Sequence, residues 1–252
     1  MMKILTIIVS YNFEKWISRC LNSLKASSHP TDIIVIDNCS KDRTVEIIQK
    51  EYPQVRLIAN SANLGFGRAN NIGMQIALKE GYDAVFLLNQ DAWIGNDTLA
   101  VLADQTVRHP EFGILSPVHL NGSGKELDKG FASYARLASI KNLSDGQDPI
   151  VCPFINAAFW FIPVSTLRKV GGFSPLFYHY GEDKDYVNRL HFHQYKIGYL
   201  RPYTAVTTVS SVKYLLKGFV GQNVSIYFPN MPTSIIVSPK RLPMVSWQES
   251  KN

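Results

Sequence analysis

Residues 3–12 read Lys3-Ile4-Leu5-Thr6-Ile7-Ile8-Val9-Ser10-Tyr11-Asn12. From Lys3 to Val9 the run is apolar and β-branched, the pattern of a buried strand, and it ends abruptly on three polar residues. Directly after it, Phe13, Trp16, Ile17, Cys20, Leu21 and Leu24 recur at helical spacing and form one apolar helix face. The alternation then repeats. Asp32 to Ile36 reads as a second strand, and Ser40 as the N-cap of a helix carrying Val45, Ile47, Ile48 and Tyr52. Val55 to Ala59 is a third strand, followed by a helix over Ala69 to Lys79 that Gly81 ends. Ala84 to Leu88 is a fourth strand, Thr98 to Arg108 a helix and Gly113 to Ser116 a fifth strand. Strands alternating with helices predict an α/β fold with a mainly parallel central sheet flanked by helices. Ligands of such sheets bind beyond the carboxyl ends of the strands. There the chain places Asp37, Asn60, Asn63, Asn89 and Asp91.

The second half is less regular. Asn121 to Gly124 and Asp145 to Pro149 read as loops, Phe154 to Ile162 as a strand, and Val164 to Val170 as a short helix stopped by Gly171-Gly172. Glu182 to His193 reads as a helix with acids in its first turn, where the helix dipole favours them. After Pro229 the prolines at 232, 239 and 243 interrupt any period, and an irregular tail is expected.

The 252 residues include 46% apolar and 18% charged residues, which excludes a disordered chain and allows a core without disulfide or metal staples. No apolar stretch approaches the roughly 18 residues of a membrane span, and the opening strand is too short for a signal-peptide core. A cytoplasmic protein is expected. Cys20, Cys39 and Cys152 form no CxxC pair and are expected to be buried thiols. Of the net charge of +6, five units lie from Arg201 onward, a balance that suits an anionic membrane surface or a phosphate-bearing ligand. Nucleic acid is disfavoured, because these basic residues lack aromatic interleaving.

Four constellations carry possible chemistry. Asp37, at a strand end, can accept hydrogen bonds from a base or ribose, or simply shape a turn. Asn63-Leu64-Gly65-Phe66-Gly67-Arg68 lets backbone approach a phosphate ahead of a helix, and it is neither a P-loop nor a GxGxxG fingerprint. Asn89-Gln90-Asp91 delivers an amide and a carboxylate two residues apart, oxygen ligands suited to magnesium or manganese, or alternatively an Asx turn. Glu182-Asp183-Lys184-Asp185 crowds three acids, which raises the proton affinity of at least one, as a general base needs, unless it is only an acidic helix start. His179, His191 and His193 lack metal-ligand spacing and read as packing or surface groups.

Taken in order, Ile8-Val9-Ser10-Tyr11-Asn12, Val35-Ile36-Asp37-Asn38, Asn63-Leu64-Gly65-Phe66, Leu88-Asn89-Gln90-Asp91 and Gly171-Gly172-Phe173 leading to Glu182-Asp183 resemble family 2 glycosyltransferases, most closely the bacterial rhamnosyltransferase-like branch. The resemblance covers about residues 4–200. It implies an inverting enzyme with a GT-A fold over residues 1–228: a nucleotide-binding half over about 1–115 and an acceptor half over 116–228, with 229–252 left as the irregular basic tail. It further implies that Ser10, Tyr11 and Asn12 line the nucleotide pocket and Asp37 binds the base. Asn63, Gly65 and Arg68 would flank the nucleotide, with Asn89 beside it. Asp91 would be the metal-binding acid of a DxD-like motif, Asp183 the catalytic base with Glu182 beside it in the acceptor site, and Gly171, Gly172 and Phe173 the way into that site. Two departures stand out: Asn89 replaces the first acid, and Thr207-Thr208-Val209 occupies the region where the family often carries a histidine.

The implied reaction moves a sugar from a nucleotide-diphosphate sugar to a saccharide or polyprenyl-linked acceptor of bacterial cell-surface polysaccharide synthesis. A divalent ion, manganese or magnesium, would assist. Lys213, Lys217, Lys240 and Arg241 fit an acceptor anchored at the inner membrane face, reached by peripheral contact. Two alternatives share the nucleotide site: a catalytically inactive nucleotide-sugar-binding subunit, and a sugar nucleotidyltransferase. The latter usually opens with a glycine-rich basic loop where this chain has Ser10-Tyr11-Asn12-Phe13.

Overall fold

The computed structural model describes residues 1–143, 146, 148–178 and 181–208, with three further strands at 224–226, 233–237 and 246–249. The expectations for Asp145, His179, Tyr180, Val209 and the basic residues Lys213, Lys217, Lys240 and Arg241 lie outside the described residues. The chain divides into two compact units, Met1–Ser210 and Ser211–Asn252.

In the first unit the elements run β1 (Ile4–Ser10), α1 (Ile17–Lys25), β2 (Asp32–Asp37), α2 (Thr44–Glu51), β3 (Arg56–Ala59), α3 (Phe66–Lys79), β4 (Ala84–Leu88), β5 (Ala92–Ile94), α4 (Thr98–Arg108), β6 (Phe112–Leu120), α5 (Lys129–Ala135), β7 (Ile150–Val151), β8 (Phe159–Pro163), α6 (Val164–Val170), α7 (Glu182–Phe192) and β9 (Lys196–Thr207). One nine-stranded sheet has the order β3-β2-β1-β4-β8-β6-β9-β5, with β7 paired to β9. The pairs β3-β2-β1-β4 and β6-β9 are parallel, while β8, β5 and β7 run against their neighbours.

Period-two alternation sends successive side chains to opposite faces of the sheet, and both faces are apolar. Leu5 and Ile7 of β1, Ile34 and Ile36 of β2, Val85 and Leu87 of β4 and Trp160 and Ile162 of β8 share one core, under Ala69 and Met74 of α3, Leu167 of α6 and Tyr186 and Leu190 of α7. The intervening Ile8, Val35, Phe86 and Phe161 join Ile17, Leu21 and Leu24 of α1, Ile48 of α2 and Leu99 and Leu102 of α4 on the other face. Each fully buried side chain of this size contributes about 1.5–3 kcal/mol. The helix α3 lies directly on β1, since a Cβ on Gly73 would stand 2.8 Å from three carbons of Ile7. That contact sets the middle of α3 against the middle of β1.

Several boundaries differ from the sequence reading. Ser40 does not cap α2, which begins at Thr44 with Arg43 before it. The turn is closed instead by the Asp42 carboxylate, which accepts from the Thr44 backbone N–H at 3.1 Å. Helix α3 starts three residues earlier than Ala69, because Gly65 supplies its entry at φ 79°. The strand placed at 154–162 is confined to Phe159–Pro163. Strands β5 and β9 and helix α5 lack a clear period. In β9 the partner of Leu200 is Pro117 and that of Thr204 is Val118, so three residues are passed over in register and alternation is lost. Cys20 and Cys152 are buried thiols, whereas Cys39 is only half-buried.

In the second unit, β10 (Val224–Ile226), β11 (Thr233–Val237) and β12 (Ser246–Glu249) pair antiparallel in that order. Residues 233–237 and 246–249 are therefore strands rather than irregular chain. The run Ile235-Ile236-Val237 has the β-branched content that favours pairing despite the flanking prolines.

Candidate active site

In the sheet order, β2 and β3 lie on one side of β1 and β4 on the other, so the chain changes winding direction between β1 and β4. Such a point leaves a crevice at the strands' carboxyl ends. A cleft of about 460 Å³ is found there, lined by Val9, Ser10 and Tyr11 after β1, Asn38 after β2, Asn63, Gly65 and Phe66 at the start of α3, Asn89, Gln90 and Asp91 after β4, and Tyr178.

Local hydrogen bonds hold these walls. The Tyr11 backbone is paired to one side chain: its N–H donates to Gln90 Oε1 at 2.8 Å and its carbonyl accepts from Gln90 Nε2 at 3.2 Å. This joins the end of β1 to the loop after β4. Asn38, nearly fully buried, accepts from Asn60 Nδ2 at 3.1 Å and donates to the Gly65 carbonyl at 3.3 Å, tying the end of β2 to the glycine loop. The Gly65 N–H donates to Asn63 Oδ1 at 2.9 Å. Gly65 also meets the segment before α7. A Cβ there would collide with the Tyr178 carbonyl, and its φ of 79° is strained for any other L-residue. The Tyr178 hydroxyl donates to the Asn63 carbonyl at 3.2 Å.

Six of the nine residues placed at the nucleotide site by sequence line this cleft: Ser10, Tyr11, Asn63, Gly65, Asn89 and Asp91. Three do not. Asp37 is 1% exposed, and its carboxylate accepts from Ser10 Oγ at 2.8 Å, from the Ser40 N–H at 2.9 Å and from Ser40 Oγ. It fixes Ser10 from behind. Asn12, at φ 53°, receives the Lys41 N–H on its Oδ1 and donates its own N–H to Ser40 Oγ, both at 2.9 Å. Arg68 donates to the Pro175 carbonyl at 3.1 Å. Asn38, Gln90 and Tyr178 are lining residues that the sequence reading did not single out. Tyr178 arrives from 113 positions beyond Gly65, and nothing in the local sequence signals that approach.

Asp91 is 8% exposed and its Oδ2 accepts from Thr208 Oγ1 at 2.7 Å. Among the described residues, no group of three or more His, Cys, Asp and Glu comes together around a metal position. The oxygen donors at this edge, the Asp91 carboxylate beside the Asn89 amide, fit a hard divalent ion held chiefly through a ligand's phosphates.

Helix α7 opens at Gly181, φ 98°, and carries Glu182, Asp183 and Asp185 in its first turn. Its start lies against the start of α3: a Cβ on Gly67 would stand 3.1 Å from Phe173 Cβ and 3.7 Å from Glu182 Cβ. Glu182 is 7% exposed and Asp183 is half-buried. Burial pushes the Asp183 carboxyl above its ordinary value, although the Lys184 N–H donates to its Oδ1 at 2.8 Å and opposes the shift. The half-buried phenol of Tyr134, on α5, is pushed up by burial and then by the charges of Asp183 and Asp128, so α5 flanks the same acid. Along this edge, then, lie a cleft of about 460 Å³ and a carboxyl whose proton affinity burial raises.

Comparison with known proteins agrees with this architecture. The curated relatives include an N-acetylglucosaminyl-diphospho-decaprenol L-rhamnosyltransferase of Mycobacterium tuberculosis, 26% identical over 217 residues, 73% of this chain and 69% of the relative. Poly(ribitol-phosphate) beta-N-acetylglucosaminyltransferase TarS of Staphylococcus aureus is 30% identical over 133 residues, 49% of this chain and 22% of TarS. The TarS crystal structure superposes with a TM-score of 0.65 at 20% identity over 83% of this chain and 37% of TarS. A Pyrobaculum calidifontis mannosyltransferase, solved with GDP-Man and Mn2+, does so at 0.63 and 19% identity over 84% of this chain and 58% of that one. These likenesses establish the GT-A fold. The family profile of glycosyl transferase family 2 matches residues 6–171, which span the cleft from the first strand to the glycine turn before α7, and the chain therefore belongs to that family of glycosyltransferases.

Proposed function

We propose that the protein is an inverting glycosyltransferase that takes a sugar from a nucleotide-diphosphate sugar held in the β1–β4 cleft. The acceptor is a saccharide, in particular one linked to a polyprenyl diphosphate, in the synthesis of a bacterial cell-surface polysaccharide. The observation that carries this reading is the placement of Asp183. It is half-buried, its proton affinity is raised, and its helix start packs on the start of α3, whose Phe66 lines the cleft. A carboxylate tuned upward and next to a donor cleft suits removal of a proton from an attacking hydroxyl.

Tyr11 and Tyr178, 46% and 59% exposed, offer flat surfaces for the nucleotide at the rim, and Ser10 and Asn38 offer polar groups within. Asp37 acts on the nucleotide through Ser10, which it orients, rather than by direct contact. Asp183 accepts the proton of the acceptor hydroxyl as that oxygen attacks the anomeric carbon, while the sugar–phosphate bond breaks through an oxocarbenium-like state. Glu182 lines the acceptor side. Asp91, oriented by Thr208, would hold manganese or magnesium together with the donor's phosphates. When bound, such an ion neutralises the charge that grows on the leaving diphosphate.

The mycobacterial relative's name specifies a lipid-linked acceptor and an L-rhamnosyl donor, which supports the same classes here. Among the described residues no helix is long and apolar enough to cross a membrane. Access to a lipid-linked acceptor is assigned to peripheral contact from the cytoplasmic side on the strength of the basic balance of the chain from Arg201 onward.

A thermal-shift panel of UDP-, dTDP- and GDP-sugars, each with and without manganese, tests the donor assignment. A ligand of the native state raises the melting temperature by mass action. One nucleotide class raising the melt, and more with manganese, is the expected result. A flat response to every nucleotide sugar would overturn the assignment.

A further inference from the structure

The start of α7 is connected to the donor side of the molecule by more than apolar packing. Asn71, on the second turn of α3, makes a reciprocal pair with one residue 102 positions away. Its Nδ2 donates to the Phe173 carbonyl at 2.8 Å, and its Oδ1 accepts from the Phe173 N–H at 2.8 Å. Both backbone polar groups of Phe173 are thereby spent on a single side chain. The approach depends on Gly172, where a Cβ would collide with Asn71 Oδ1. From the opposite side, Arg189 of α7 grips the same turn. Its Nη1 donates to the Val170 carbonyl and its Nη2 to the Gly172 carbonyl, each at 2.8 Å, while its Nε is held by Asp185 Oδ2 at 2.9 Å. The turn at 170–173 is thus clamped between α3, whose first residues wall the cleft, and α7, whose first turn carries Glu182 and Asp183.

We infer that Asn71 and Arg189 are positioning residues for the reaction: through the turn at 170–173 they set the Asp183 carboxyl relative to the donor cleft. This rests on the reading of Asp183 as the base. The physical argument is one of geometry. Asp183 sits at a helix start entered through a loop, and loops alone define position loosely. Hydrogen bonds to the carbonyls of Val170, Gly172 and Phe173 and one from the Phe173 N–H remove that freedom, and Phe173 stacked on Trp160 at 5.8 Å anchors the turn to the sheet. A displacement of about 1 Å at a reacting group can cost about 100-fold in rate. Neither Asn71 nor Arg189 lines the cleft, so their loss leaves the donor's own contacts in place.

The test compares wild type with Asn71→Ala and Arg189→Lys, at a temperature where urea titration shows each fully folded. Turnover is read as release of nucleoside diphosphate from the donor that the wild type uses, and affinity as the Kd for the corresponding free nucleoside diphosphate. The expected result is a fall in kcat of about 10- to 100-fold with Kd unchanged within about twofold. Should Asn71→Ala fail to fold, Asn71→Asp keeps the volume and the acceptor for the Phe173 N–H, and the same split is expected of it. An unchanged kcat, or a Kd weakened in step with kcat, would overturn the inference. Asp183→Asn in the same series separates the two layers: full activity in that variant removes the base reading, whereas its loss beside full activity in Asn71→Ala removes only the positioning role.

Discussion

Thr208 Oγ1 donates to Asp91 Oδ2 over 2.7 Å, joining the end of β9 to the loop after β4 across 117 positions of chain. Thr208 lies in the short stretch where the family resemblance looks for a histidine, and it meets there, through a hydroxyl, the carboxylate that the resemblance assigns to the DxD-like motif. A buried carboxylate deprived of a donor loses about 1–3 kcal/mol. Thr208→Val is expected to lower unfolding free energy by an amount in that range, measured by urea titration, and Thr208→Ser to restore most of it. If the proposed ion binds at Asp91, the valine variant also needs more manganese for half-maximal turnover.

Gly65 and Tyr178 form the second long-range joint of the cleft. A methyl group at Gly65 meets a backbone carbonyl rather than a pliable side chain, and φ is positive. Gly65→Ala is expected to push the segment before α7 off the cleft wall and weaken nucleoside diphosphate binding by about tenfold, the equivalent of about 1.4 kcal/mol. Isothermal titration with UDP, dTDP and GDP reads this directly. Unchanged affinity across all three would mean that the glycine loop does not shape the site.

Asp183 links function to stability with a definite sign. Burial raises its folded value above the ordinary carboxylate value, so its contribution to stability is full at low pH and is lost as pH rises through the folded value. At neutral pH the ionised acid therefore weighs against folding. Asp183→Asn is expected to melt a few degrees higher than wild type at pH 7 and to show no such difference near pH 4. The pH dependence of kcat for the wild type is expected to rise through a value above that of an ordinary aspartate.

His119 titrates in the opposite sense. It is fully buried on β6 between Phe131 at 4.8 Å and Phe159 at 4.7 Å, with Ser116 Oγ at 2.8 Å from Nε2, and burial holds its folded value down at about 3. The unfolded chain binds this proton near pH 6.5, the folded one only near pH 3. Stability from this group is complete above the ordinary value and falls by about 1.4 kcal/mol per pH unit as pH drops through that window. Urea titrations from pH 7 to pH 4 are expected to show this slope, and His119→Leu a shallower one from a lower starting point.

How far the sequence could be read follows from the range of the interactions. β1, β4, α4 and α6 were legible to the residue or nearly so, because each is delimited by its own period and by a polar or glycine boundary. Ser10, Asn63, Gly65 and Asp91 were legible as cleft residues, because a parallel sheet sends its strand ends to one edge. Asp37 lies at the strand end where the sequence places it, and its carboxylate accepts from Ser10 and Ser40. Whether a strand-end carboxylate faces a ligand or its neighbours depends on Ser10 and Ser40, whose orientation is tertiary. Tyr178, Thr208 and Asn71 owe their roles to partners about a hundred residues away, and no local pattern encodes those pairings. Strand β9 is hidden by its bulge, and α5, which brings Tyr134 beside Asp183, by the lack of an apolar period in its Lys-Gly-Phe-Ala-Ser-Tyr-Ala run.

The most direct test of the central claim is a comparison of wild type and Asp183→Asn for nucleoside diphosphate release in the presence of acceptor, with the Kd of the donor nucleotide measured on the same samples. The account requires turnover to fall by about 10²- to 10⁴-fold, the usual contribution of a general base, while Kd stays within about twofold. An Asp183→Asn variant that transfers sugar at the wild-type rate would contradict it.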